Sequence, residues 1–82
     1  PMDQSNKQAD IDLTAKIRET VLEIEDLSVN GRNVKIISND GNVVLRGPVE
    51  SAAEKERIGD VAQKIAGEGH VTNELEVVPD AN

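Results

Sequence analysis

The sequence predicts an α+β fold: a two-layer sandwich in the order αββαβ, with a three-stranded mixed sheet and two helices packed on one face. Three observations predict it. Residues 10–25 and 51–66 repeat their apolar positions with a helical period. Three shorter stretches are rich in β-branched residues, and the first two flank the turn Asn39-Asp40-Gly41-Asn42. The second helical stretch lies between the second and third strands, which makes those strands run parallel, while the hairpin makes the first two antiparallel.

The first helix is expected over Asp10–Glu25. Leu13, Ile17, Val21 and Ile24 share one face, and Leu22 falls off that stripe. Asp10 or Asp12 is suited to cap its N-terminus, where a carboxylate also matches the helix dipole. Residues 26–33 read as a loop in which Leu27 and Val29 tuck inward and Asn30-Gly31 makes a turn.

The hairpin strands are Val34–Ser38 and Val43–Val49. Gly41, beside Asp40, supplies the positive φ of a tight connection. Val43, Leu45 and Val49 fall on one face of the return strand. Gly47 lies between them and points to close helix–sheet packing or a bulge. Pro48 cannot donate to a ladder, so the strand is at an edge there or is ending.

Ser51-Ala52-Ala53-Glu54 reads as a capping box, in which the Ser51 side chain meets the amide of Glu54 and the Glu54 carboxylate reaches back. The helix it opens carries Ile58, Val61, Ala62, Ile65 and Ala66 on one face and stops at Gly67. In the last strand, Val71–Val78, the residues Val71, Asn73, Leu75 and Val77 face inward. Thr72, Glu74, Glu76 and Val78 face outward. The domain is therefore expected over 10–78, between a disordered tail at 1–9 and a short C-terminal tail at 79–82.

Composition narrows the function. An 82-residue chain is one domain and buries only about 60% of its unfolded surface, leaving little room for a deep, dry cleft. There is no aromatic residue, which removes the stacking platforms of single-strand nucleic-acid sites and of aromatic peptide grooves. Sixteen acidic residues against nine basic ones give a net charge of −7, which argues against nucleic acid and against simple capture by anionic lipid.

No apolar run approaches the roughly 18 residues of a membrane span, and Pro1–Lys7 has no hydrophobic leader segment. Pro1 ahead of Met2 reads as a junction, which leaves open a removed leader or a cytosolic chain starting at Met2. The absence of cysteine fits an oxidising and a reducing compartment equally.

No residue pattern calls for catalysis, a cofactor or a metal. His70 is the sole histidine, and with no cysteine present it cannot supply a structural zinc site without several carboxylates. Asp40 and Asn42 are turn residues rather than a calcium loop, because the chain returns at once to strand. Gly67-Glu68-Gly69-His70 follows a helix and precedes a strand, the reverse of a dinucleotide fingerprint. Glu23/Glu25 and Glu54/Glu56 are two apart on helices and do not converge. Lys55, Arg57 and Lys64 belong to a mixed solvated face. The expected contact surface for a partner is the outer sheet face: Ile37, Val44 and Val78 with Arg46. The strand edges are a second route, by β-augmentation.

The stretch Asp40-Gly41-Asn42-Val43-Val44-Leu45-Arg46-Gly47-Pro48-Val49, followed by Ser51 and a charged helix, resembles the BON domain family. So does the ending Gly69-His70-Val71-Thr72-Asn73-Glu74-Leu75-Glu76-Val77. The resemblance covers roughly 10–78. It implies an αββαβ fold without a catalytic motif, a periplasmic or envelope location, and contact with membrane phospholipid or envelope proteins, with a link to osmotic stress. The alternative function is a protein-interaction or ion-sensing stress domain without lipid affinity, and the alternative location is the cytoplasm. A monomer is expected.

Overall fold

The computed structural model describes the backbone of residues 2–78 and side chains from Lys7 to Val78; the C-terminal tail at 79–82 lies outside them. Helix α1 spans Met2–Leu22, a four-residue helix α2 spans Val29–Arg32, and β1 (Lys35–Asn39) and β2 (Asn42–Val49) form the hairpin. Helix α3 (Ala52–Ala66) then crosses to β3 (Val71–Val77). The sheet order is β1-β2-β3, antiparallel between β1 and β2 and parallel between β2 and β3. Helix α1 packs over β1, α3 packs over β3 and β2, and the two helices touch. This is the predicted mixed three-stranded sheet, with α2 added.

The core is assembled from the predicted stripes. Ile17 and Val21 of α1, Ile58 and Ala62 of α3, and Ile36, Val43, Leu45, Val49 and Leu75 of the sheet are buried together with Leu27 and Val34. Burying one such aliphatic side chain contributes about 1.5–3 kcal/mol, so this cluster dominates the stability of a domain with no disulfide.

The structure corrects several local expectations. Helix α1 begins at Met2, so residues 2–9 are helical backbone rather than the predicted tail. The polar segment has no apolar period to announce it. Asp10 consequently sits inside the helix and does not cap it. Its carboxylate instead accepts the amides of Asp40 (2.9 Å) and Gly41 (3.1 Å), holding the hairpin turn. Both turn residues have positive φ, 53° and 83°, as a two-residue hairpin connection requires.

Asn30-Gly31 is not a turn but lies within α2, whose N-cap is Ser28. A side chain at Gly31 would crowd its neighbours: an added Cβ would stand 2.9 Å from Leu27 Cδ1 and 3.0 Å from the Glu54 carboxylate, so those side-chain ends would have to shift. Val29 points outward and is 73% exposed, whereas Leu27 does tuck in. Val77, predicted to face inward, is exposed at the end of β3, beyond the helical cover.

Gly47 has φ +126°, a conformation L side chains rarely adopt, and an added Cβ would meet Val34 Cα at 3.4 Å. The close approach is thus to the segment entering β1, not to a helix. Pro48 lies beyond Arg46, the last β2 residue paired with β1, so its missing amide costs no ladder bond.

Candidate functional site

The uncovered face of the sheet is set by strand alternation. Residues of β2 that point away from the helices are Val44 and Arg46, and the register places Ile37 and Thr72 on either side of Val44. Lys35 and Glu74 flank Arg46 in the same way. One row therefore reads Ile37–Val44–Thr72 and the next Lys35–Arg46–Glu74. Ile37 is 41% exposed and Val44 half-buried. Arg46 Nε donates to Glu74 Oε1 at 2.9 Å, an exposed pair worth no more than about 1 kcal/mol. The Arg46 and Glu74 side chains of this pair are 61% and 46% exposed.

Of the four residues predicted to meet a partner, Ile37, Val44 and Arg46 stand together. Val78 does not join them. Thr72 is level with Val44, and Val78 lies six residues further along the chain, about 20 Å away at the rise of a strand. It is exposed, and its amide donates to the Val49 carbonyl at 2.7 Å. Outward parity alone suggested a single patch, and it does not reveal distance along the strand.

The sequence-predicted capping box is half present, and its carboxylate does something else. Ser51 Oγ accepts the Glu54 amide at 3.1 Å as expected. The Glu54 carboxylate reaches past Ser51 to the amide of Glu50 (3.0 Å). It also accepts the amide and hydroxyl of Ser28, both at 2.7 Å. Ser28 Oγ in turn accepts the Gly31 amide at 2.9 Å. One carboxylate thus ties the start of α2 to the start of α3.

Burial works to raise the Glu54 carboxyl. The bonds from the Ser28 and Glu50 amides and the Ser28 hydroxyl together outweigh it and hold the group below its ordinary 4.5. The adjoining cleft of about 370 Å³, between residues 24–28 and 50–57, is open to solvent, and its most connected side chain is already occupied by these bonds.

A second polar link was not foreseen. Asn73 Nδ2 donates to the Lys55 carbonyl of α3 at 2.9 Å, and Asn73 Oδ1 accepts the Leu75 amide at 3.1 Å. Gly59 of α3 makes room for it, since an added Cβ would lie 2.5 Å from Asn73 Nδ2. A glycine in mid-helix and an asparagine on an inward strand position were the available signals. His70 is exposed at the start of β3, with Nδ1 3.1 Å from Asn42 Oδ1. Among the described residues no group of histidine, aspartate and glutamate side chains could hold a metal ion, and no helix is long and apolar enough to cross a membrane.

No curated protein matches the chain. The family model for the BON domain matches residues 9–79, nearly its full length. That family comprises binding domains, non-catalytic in general and associated with the bacterial envelope and osmotic stress. By that match, and by the mixed αββαβ core that carries it, this chain belongs to the BON domain family.

Proposed function

We propose that this chain is a non-catalytic docking module of the bacterial envelope that engages a protein partner through the open face of its sheet. The supporting observation is the Ile37–Val44 row, where apolar side chains of two paired strands stand side by side on a face no helix covers. Desolvating such a row against a complementary surface is favourable by roughly 25 cal/mol per Å². Arg46 adds directional donors beside it. The family's association with the bacterial envelope supports a periplasmic location.

Membrane phospholipid is the weaker ligand. The net charge of −7 repels an anionic surface, and Arg46 is already paired with Glu74. The test is affinity retention from an envelope extract, run beside co-sedimentation with phosphatidylglycerol and phosphatidylcholine vesicles at low salt. The wild-type chain should retain a discrete protein that an Ile37→Asp/Val44→Asp variant does not, and neither should pellet with vesicles. Pelleting of the wild type that the double variant abolishes moves the contact to lipid. Equal retention by both chains removes it from this face.

A further inference from the structure

We infer that docking proceeds by strand addition: an extended segment of a partner protein pairs with the open edge of β1 as a fourth strand, beneath the overhanging side of α1. This rests on the docking reading above and specifies its geometry. The direction of every peptide group in the sheet follows from two hydrogen bonds. The Val43 amide donates to the His70 carbonyl and the Val78 amide to the Val49 carbonyl. The odd-numbered residues of β2 from Val43 to Val49 therefore face β3, and Asn42, Val44 and Arg46 face β1. Their partners Asn39, Ile37 and Lys35 point inward to the ladder, which leaves the amides and carbonyls of Ile36 and Ser38 facing the open edge.

The β3 edge is interrupted partway along, where the side chain of Asn73 takes the outward amide of Leu75. On β1, Arg18 Nη2 from α1 donates to the Val34 carbonyl at 2.7 Å, just before the strand, and Asp10 holds the amides of Asp40 and Gly41 just after it. Between these stops, none of the side-chain or cross-element hydrogen bonds of the described residues reaches the four outward groups of Ile36 and Ser38. Two donors and two acceptors at strand spacing match another extended backbone. They match neither a helix nor a lipid chain.

Above this edge, α1 carries a second, exposed stripe beside its buried one: Ile11, Ala15 and Leu22, interrupted by Arg18. Ile11, Ala15, Thr14 and Ser38 line an open groove of about 440 Å³ between helix and strand. A second copy of this chain does not fit there. Pairing β1 with its own symmetry mate would set the two strands about 4.8 Å apart. The α1 helices lying over them need about 8–10 Å. The incoming segment must come without a covering helix of its own. Its residues opposite Ile36 and Ser38 would meet Ile11 and Ala15, and the residue opposite Ile37 would extend the Ile37–Val44 row. An acidic residue opposite Lys35 would complete the match. The partner segment is therefore a short run of β-branched residues with a carboxylate at one end.

The peptide Ser-Thr-Val-Ile-Val-Glu-Ser and its reverse, both blocked at the ends, serve as probes. They are titrated to about 1 mM, the range of weak complexes, into ¹⁵N- and methyl-labelled chain. One of them should give saturable shifts of the Ile36 and Ser38 amides and the Ile11 and Ala15 methyls. Ser38→Pro removes the outward amide at a position where an edge strand tolerates proline, while Ser38→Ala keeps that amide and loses only the hydroxyl bonded to Thr14.

Ser38→Pro should weaken binding about tenfold or more, the effect of one lost main-chain bond, and Ser38→Ala should bind like wild type. Ala15→Lys, on the exposed side of α1, should also block the groove, and it keeps the test intact if the proline variant unfolds. Absence of shifts with both peptides, or unchanged binding by folded Ser38→Pro and Ala15→Lys, overturns strand addition. A partner still held through Ile37 in those variants leaves the docking face standing, whereas loss of all contact at Ile37 in the wild-type chain brings down both.

Discussion

Val44 and Leu45 are neighbours on β2 and belong to different parts of the molecule. Leu45 is wholly buried in the core beneath the helices; Val44 faces away from them, between Ile37 and Thr72. The same division runs through β1, where Ile36 is buried and Ile37 is 41% exposed. The difference shows how a small domain separates its tasks. With a period of two, one set of alternate residues supplies the packing that holds helices to sheet. The other set is released from that duty and can be chosen for what it touches outside.

The largest effect is expected at the centre of the core. Leu45→Ala should cost about 2–5 kcal/mol in urea unfolding, because it removes buried methyl groups and leaves a cavity. Val44→Ala, one residue away and half-buried, should cost about 1 kcal/mol or less. Comparable losses at the two positions would mean that both faces are packed.

The next effect concerns the polar link across the inner face. Alanine for glycine in a helix interior ordinarily stabilises by about 1 kcal/mol. At Gly59 the sign should reverse, with a loss of about 1–2 kcal/mol, because the new methyl displaces Asn73 from the Lys55 carbonyl and the Leu75 amide. In an Asn73→Ala background the same substitution should regain its stabilising sign, a coupling that a double-mutant cycle of thermal or urea unfolding measures directly.

A smaller and pH-dependent effect belongs to Glu54. Its carboxyl is held below the ordinary 4.5, so the ionised form is favoured in the folded chain. The resulting stability is fully present above that value and is lost as pH falls through the folded pKa. The melting temperature of wild type should therefore exceed that of Glu54→Gln at neutral pH, consistent with about 1–2 kcal/mol from charged hydrogen bonds to Ser28 and Glu50. The gap should narrow as the solution is acidified below 4.5. A gap that stays constant with pH would show that the carboxylate's charge is not what ties α2 to α3.

These residues also mark how far the sequence could be read. The hairpin, the cap at Ser51, the buried stripes of α1 and α3 and the phase of all three strands follow from spacing alone, because each depends on neighbours within a few residues. Glu54 and Ser28 are 26 positions apart, Asn73 and Lys55 are 18, and Asp10 and Asp40 are 30. No local pattern encodes such meetings. Ser28 ahead of Val29-Asn30-Gly31 was a legible N-cap signal, but the Asn-Gly dipeptide reads more strongly as a turn. In the structure Ser28 does cap α2, and Glu54 holds its amide and hydroxyl. On the uncovered sheet face, parity placed Ile37, Val44 and Arg46 on the same side. Only the pairing register shows that Val78 lies at the far end.

The most direct test is photo-crosslinking inside the living envelope. A benzophenone side chain is placed at Ile37 in one variant and at Ala53, beside the α3 cleft, in another. A discrete protein adduct formed from position 37 and absent from position 53 is the result that docking through the open sheet face predicts. Adducts from position 53 with none from position 37 would move the binding surface to the cleft and contradict it.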